Sequence, residues 1–142
     1  MEVAGITKDP AAFVVRDDEA LRAYGLSRQK IVYARGLAEA IVSGGLDLRN
    51  LRKQDDDTAI DALVALKGIG RWSAEVYLLF ALGRPDIMPA DDLALVASAG
   101  KHLGDGTRWT PGQLREEAEQ KWRPWRSAAA RLLWHAYRID AI

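Results

Sequence analysis

Apolar positions recur at three- and four-residue spacing along most of this chain, and no window alternates convincingly with period two, so the pattern predicts helices. The clearest stripe is Ile31, Ala34, Leu37, Ala38 and Ile41, with Ser27 as its cap and Gly44-Gly45 as its stop. Before it, Asp17 or Asp18 caps a short helix through Tyr24, closed by Gly25. Residues 1–16 are weakly patterned and define no element. After a turn around Asp47, Asp57-Thr58 starts a helix with Ile60, Leu63, Val64 and Leu66 apolar. Gly68-Ile69-Gly70 separates it from a helix over Arg71 to Leu82, where Trp72, Val76, Leu79 and Phe80 form a stripe and Gly83 ends the run. Arg84-Pro85-Asp86 reads as a loop, and Pro89-Ala90-Asp91 leads into a helix carrying Leu93, Leu95 and Val96. Gly104-Asp105-Gly106 is a turn. Thr110-Pro111-Gly112-Gln113 has the form of a capping box, and Trp122-Arg123-Pro124-Trp125 breaks the helix it starts. From Ser127 to Tyr137 a last helix places Ala130, Leu133, Trp134 and Tyr137 on one face. The expectation is one all-α domain over residues 1–142, with neither repeat nor linker.

Composition narrows the functional classes. With 49% hydrophobic and 28% charged residues in 142, the chain can bury a core and is not disordered. No apolar run approaches the roughly 20 residues that span a bilayer, and the first residues carry no basic-then-apolar export signal. The chain has no cysteine, which excludes disulfides and cysteine-ligated zinc or iron–sulfur sites. His102 and His135 are too far apart in sequence to point to a metal site, so none is expected. Net charge is zero, a mild argument against nucleic acid. The charge is uneven, however. Asp55-Asp56-Asp57 and Asp61 are acidic, whereas Arg108, Arg115, Lys121, Arg123, Arg126, Arg131 and Arg138 make the last third basic.

Two helices joined by Gly68-Ile69-Gly70 make a helix-hairpin-helix. Glycine there permits positive φ and close backbone approach, and Ile69 can plug between the helices. The second helix then presents the free N–H groups of its first turn, a natural anion site that suits a DNA phosphate without reading sequence. Arg71 and Ser73 stand in that turn, and Ser73 adds a hydroxyl donor. A plain αα-turn is the simpler alternative. Asp91-Asp92, read alone, are two competing helix caps.

The motifs together resemble the helix-hairpin-helix (HhH-GPD) DNA glycosylase superfamily, in particular its 3-methyladenine DNA glycosylase II branch. Leu66, Gly68, Ile69, Gly70, Trp72, Ser73 and Ala74 meet the family pattern Leu-x-Gly-Ile-Gly-x-Trp-Thr/Ser-Ala. "ALGRPDIMPADDLAL" matches the run into the family's catalytic aspartate, "WRPWRSAAARLLW" its Trp-x-Pro-Trp-Arg-Ser segment, and "GLSRQKIVYARGLAEAI" its Gly-Leu-Ser-x-x-Lys helix. The resemblance covers roughly residues 17–138 and implies that Asp92 is the catalytic aspartate, while Asp91 caps the helix. A carboxylate near C1′ would stabilise the positive charge that builds on the sugar as the N-glycosidic bond breaks.

Family members that also cut the strand carry a lysine where Trp72 stands here, so the resemblance implies a monofunctional enzyme that leaves an abasic site. Trp72, Tyr77, Trp125 and Trp134 are the aromatic candidates for holding a flipped, electron-poor base. The resemblance places Trp72 and Trp134 in the base pocket, with Val76 at a pocket position that is often tyrosine. The plainer reading for tryptophans at helical spacing is core; it is favoured for Trp122 and Trp125 and stands level for Trp72 and Trp134. Arg126 and Ser127 fit either a phosphate contact or a helix terminus, and the basic last third fits a duplex-facing footprint.

Relative to the family the chain is N-terminally truncated. Helices that normally precede the Gly-Leu-Ser helix, a Gln-Gln-Ile/Leu-Ser-like segment and the wedge residue do not stand in this sequence, which leads one to expect self-association through the truncated face. The expected function is release of alkylated purines (3-methyladenine-like) from duplex DNA in base excision repair. The alternatives are a non-catalytic DNA-binding module and an inactive fragment. The expected partner is double-stranded DNA, in the bacterial nucleoid or a nucleus, without membrane or small-molecule cofactor. A monovalent cation at the hairpin–phosphate contact is the one candidate ion.

Overall fold

The computed structural model describes residues 9–141; of the weakly patterned segment 1–16, residues 1–8 lie outside the described residues. Among the described residues the chain is all-helical: α1 (Pro10–Val14), α2 (Asp18–Ala23), α3 (Arg28–Val42), α4 (Leu48–Leu51), α5 (Asp56–Val64), α6 (Arg71–Phe80), α7 (Leu93–Leu103), α8 (Pro111–Lys121) and α9 (Arg126–Asp140). None of these helices is long and apolar enough to cross a membrane. The chain divides into two compact units, Met1–Ile69 and Gly70–Ile142, and the division falls inside the Gly-Ile-Gly turn.

In the first unit α3 is the central element, with α1 and α2 packed on it. Ile31 and Leu21 are buried there, as are Leu51, Ile60 and Leu63 farther on. Arg35 of α3 ties down the segment between α1 and α2: its guanidinium donates to Val14 O at 2.6 Å and Arg16 O at 2.9 Å, and pairs with Asp18. The acidic stretch proves to be a helix start. Asp55 accepts from Thr58 N at 2.9 Å, and Asp56 and Asp57 occupy the first turn of α5, where the helix dipole favours negative charge.

In the second unit α7 is central, with α9 and α8 against it. Its Gly100 meets the chain returning from the 104–106 turn so closely that a Cβ there would sit 2.0 Å from Thr107 O. Leu78, Leu79, Leu95, Val96, Leu114, Ala118 and Ala130 are buried in this unit. α8 opens with the expected capping box, Gln113 N donating to Thr110 Oγ1 at 3.2 Å and Thr110 N to Gln113 Oε1 at 2.8 Å. The Arg123–Pro124 peptide between α8 and α9 is cis.

α6 departs from its sequence pattern. The stripe Trp72-Val76-Leu79-Phe80 does not form the buried face, which is Ala74, Glu75, Leu78 and Leu79. Trp72 and Phe80 are exposed.

Candidate active site

The turn before α6 assigns different roles to its two glycines. Gly68 has φ +90, and a Cβ on it would lie 2.3 Å from the Tyr33 ring, so both conformation and space require glycine. Gly70 is extended (φ −84, ψ 171), has nothing among the described residues within 4 Å of a would-be Cβ, and caps α6 without a side-chain bond. The first intrahelical bond runs from Ala74 N to Gly70 O at 3.1 Å. The amides of Arg71, Trp72 and Ser73 therefore precede the helix's own ladder. The Ser73 side chain is exposed and Ile69 is half-buried. Arg71 turns back along the helix, its Nε donating to Glu75 Oε1 at 2.8 Å. Glu75 is 3% exposed and its Oε2 has no hydrogen-bond partner among the described residues. Burial pushes the Glu75 carboxyl above the ordinary glutamate range, against the hydrogen bond and charge of Arg71.

The loop from α6 to α7 delivers Asp92. Pro89 and Ala90 are buried, and Asp92 N donates to Pro89 O at 3.0 Å, which fixes the turn. Asp92 itself caps α7: its Oδ1 accepts from Ala94 N at 2.9 Å and Leu95 N at 3.1 Å. The expectation that Asp91 caps this helix is corrected, because Asp91 points away and pairs with Arg115 at 2.6 Å. With Oδ1 held by the main chain, Asp92 Oδ2 faces α6 and accepts from the Trp72 indole Nε1 at 3.0 Å. An open hollow of about 430 Å³ adjoins this pair, lined by Trp72, Asp91, Asp92, Leu93, Ala94 and Tyr137.

Of the residues expected in a base pocket, Trp72 lines this hollow, whereas Val76 and Trp134 do not. Trp134 is half-buried and its ring lies against that of Phe80, with centroids 5.4 Å apart; the Arg131 guanidinium stands 4.7 Å from the same Phe80 centroid. Tyr77 is half-buried too. Trp125, for which the sequence favours a core position, is 64% exposed. Tyr137 shares the apolar face of the last helix in the sequence pattern, yet the structure leaves it exposed at the hollow. The only sequence signal for it is its place one turn beyond Trp134.

Arg126 and Ser127 serve the fold in this structure. Arg126 binds Asp86 through Nε at 2.7 Å and Asp86 O through Nη2 at 2.9 Å. Ser127 Oγ donates to Arg84 O at 2.6 Å and accepts from Ile87 N at 2.9 Å. Partial burial pushes the Asp86 carboxyl up, but the hydrogen bonds and charge of Arg126, with the charge of Arg123, outweigh it and hold it below the ordinary aspartate range. Most of the basic last third is likewise engaged. Arg115 pairs with Asp91, Lys121 with Glu117, and Arg123 with Asp86 and Glu119. Arg108 and Arg138 have no carboxylate partner among the described residues. No group of three or more histidines, aspartates or glutamates among them is placed to hold a metal ion.

The same arrangement of helices occurs in known proteins. A DNA-3-methyladenine glycosidase from Bacillus halodurans superimposes with a TM-score of 0.82 and 35% identity, over 94% of this chain and 61% of that one. The Schizosaccharomyces pombe 3-methyladenine DNA glycosylase, solved in complex with abasic DNA, gives a TM-score of 0.81 and 32% identity, over 94% of this chain and 64% of its own. By sequence, DNA-3-methyladenine glycosylase 1 of Schizosaccharomyces pombe is 33% identical over 124 residues, 87% of this chain and 54% of the relative. DNA-3-methyladenine glycosylase 2 of Escherichia coli is 31% identical over 126 residues, 89% of this chain and 41% of the relative. The chain thus spans about half the length of the curated relatives it matches. With residues 4–124 matching the HhH-GPD superfamily of base excision DNA repair proteins, this chain belongs to that superfamily.

Proposed function

We propose that the chain carries the catalytic site of a monofunctional DNA glycosylase that hydrolyses the N-glycosidic bond of alkylated purines in duplex DNA. One observation carries this reading. The Asp92 carboxylate is held on three sides, by two main-chain N–H groups and the Trp72 indole, beside a hollow open to solvent. An anion so positioned needs no reorganisation when positive charge develops nearby, which is the condition for electrostatic stabilisation of a transition state. With an alkylated, cationic purine in the hollow, the C1′–N bond breaks and its electron pair leaves with the base, which departs neutral. Asp92 stabilises the cation left at C1′. A water oxygen then bonds to C1′ and its proton passes by way of Asp92 to solvent, giving the free base and an abasic site. No lysine stands at position 72 to form a Schiff base, so the strand is left intact.

The N-terminus of α6 is the proposed phosphate contact, through the amides of Arg71 to Ser73, with a monovalent cation as the candidate bridge from the turn to the phosphate. Because Arg115, Lys121, Arg123 and Arg126 are engaged internally, this contact relies on main-chain donors more than on a broad basic surface. The relatives' names and the abasic-DNA complex of the Schizosaccharomyces pombe protein support the substrate class. The test is release of free base from methylated duplex DNA by wild type and Asp92→Asn. Release by the first and not the second is expected. No release by wild type, together with salt-dependent duplex binding that survives Asp92→Asn, would instead make the chain a non-catalytic DNA-binding module.

A further inference from the structure

We propose that Tyr137 is a specificity-determining residue, the second aromatic wall of the hollow beside Asp92, and that with Trp72 it selects a flat cationic purine over a neutral one. The identity of the base as part of DNA rests on the function proposed above; the preference for a cation rests on the hollow itself.

Tyr137 makes no polar contact that would hold it for the fold. It is 43% exposed, and among the described residues its hydroxyl makes no hydrogen bond and its ring meets no other ring. A tyrosine with an apolar body and an unpaired, accessible hydroxyl suits an interface with a ligand, and this one lines the same hollow as the Trp72 indole and the Asp92 carboxylate. The other aromatic side chains are elsewhere. Val76 is aliphatic and off the hollow, and Trp134 is engaged with Phe80. Without Tyr137 the hollow would have one aromatic wall. With it, two electron-rich rings and a carboxylate border one open hollow, an arrangement that favours a delocalised cation over a neutral ring of the same shape.

The test uses 1-methyladenosine, a cation at neutral pH, with adenosine as the neutral control. Binding is followed at the Trp72 indole N–H resonance, identified by its loss in Trp72→Phe, and the same preparations are assayed for base release from methylated duplex DNA. Wild type is expected to prefer 1-methyladenosine by about tenfold. Tyr137→Phe should keep the preference, and Tyr137→Ala should cut it to about twofold or less, with thermal stability unchanged in both. Base release by Tyr137→Ala should fall through KM more than kcat. The proposal is overturned if the preference survives in Tyr137→Ala, if Tyr137→Phe loses it as fully as the alanine variant, or if wild type binds no 1-methyladenosine at millimolar concentration. Cation-selective binding by a protein that releases no base would sink the proposed reaction while leaving this site standing. Base release indifferent to Tyr137 would do the reverse.

Discussion

The indole of Trp72 donates to the Asp92 carboxylate across 3.0 Å, joining the first turn of α6 to the cap of α7. Asp92 thereby does two things at once. Its Oδ1 caps a helix and its Oδ2 is aimed at the hollow's edge. The two roles separate by substitution. Asparagine caps about as well as aspartate but turns an amide N–H toward the Trp72 indole N–H, so Asp92→Asn should melt only slightly below wild type, while base release falls by about 100-fold or more with the loss of the fixed anion. Asp92→Ala should lose both, with stability lower by about 1 kcal/mol. Equal stability losses in the two variants, read by thermal denaturation, would show that the substituted asparagine fails to cap.

Trp72→Phe keeps a ring on the hollow and removes only the N–H. Loss of the donor that positions the Asp92 carboxylate should lower kcat for base release by about fivefold, while stability falls by about 1 kcal/mol at most because the side chain is exposed. If Trp72 served only to pack the fold, phenylalanine would lower the melting temperature and leave kcat alone.

The glycines of the turn should respond in opposite ways. Gly68→Ala forces a side chain into the left-handed region and against the Tyr33 ring, so a loss of about 1–3 kcal/mol is expected. Gly70→Ser meets neither obstacle and adds a capping hydroxyl, so stability should hold or rise slightly. If a phosphate approaches the main chain there, however, the serine side chain stands in its path. Duplex binding by Gly70→Ser, measured against salt, should weaken several-fold in a protein at least as stable as wild type. Unchanged affinity would place the phosphate elsewhere.

The helices legible in the sequence show a capping residue, a repeating apolar stripe or both: α2 and α5 with their aspartates, α3 with Ser27, α7 with its Asp91-Asp92 pair, α8 with its capping box, and α6 and α9 by their stripes alone. Pro10–Val14 and Leu48–Leu51 are too short for a period to show, and α4 reads as part of the turn around its own cap, Asp47. On α6 the period is right and the face is wrong. Hydrophobicity marks Trp72 and Phe80 for burial, yet the buried positions include Glu75, which no hydrophobic pattern would select. The motif singles out Trp72; its bond to Asp92 is not legible there, because it depends on where the loop through Pro89 delivers the carboxylate. The basic last third misleads for a related reason. Sequence counts charges but does not show which are neutralised, and Asp86, Asp91, Glu117 and Glu119 take up most of them.

Two carboxylates of the second unit should give stability opposite dependences on pH. Asp86 is held below the ordinary aspartate value near 4. The folded state therefore binds its proton more weakly than the unfolded chain does. Its contribution is present above that ordinary value and is lost as pH falls through the lowered one. Asp86→Asn removes the charge from its bonds with Arg126 and should cost about 1–2 kcal/mol near neutral pH, less at acid pH. Glu75 is shifted the other way by burial. Its folded state binds a proton more tightly, so its contribution is greatest below the ordinary glutamate value and declines as pH rises toward the raised one. Glu75→Gln cannot ionise and escapes that decline. The difference in melting temperature between Glu75→Gln and wild type should therefore move in favour of the glutamine as pH rises above the ordinary glutamate value, while the deficit of Asp86→Asn deepens as pH rises toward the ordinary aspartate value. Melting curves of the three proteins from acid to neutral pH provide the check. A Glu75→Gln difference that stays flat would mean that the Arg71 pairing fully offsets the burial of the charge.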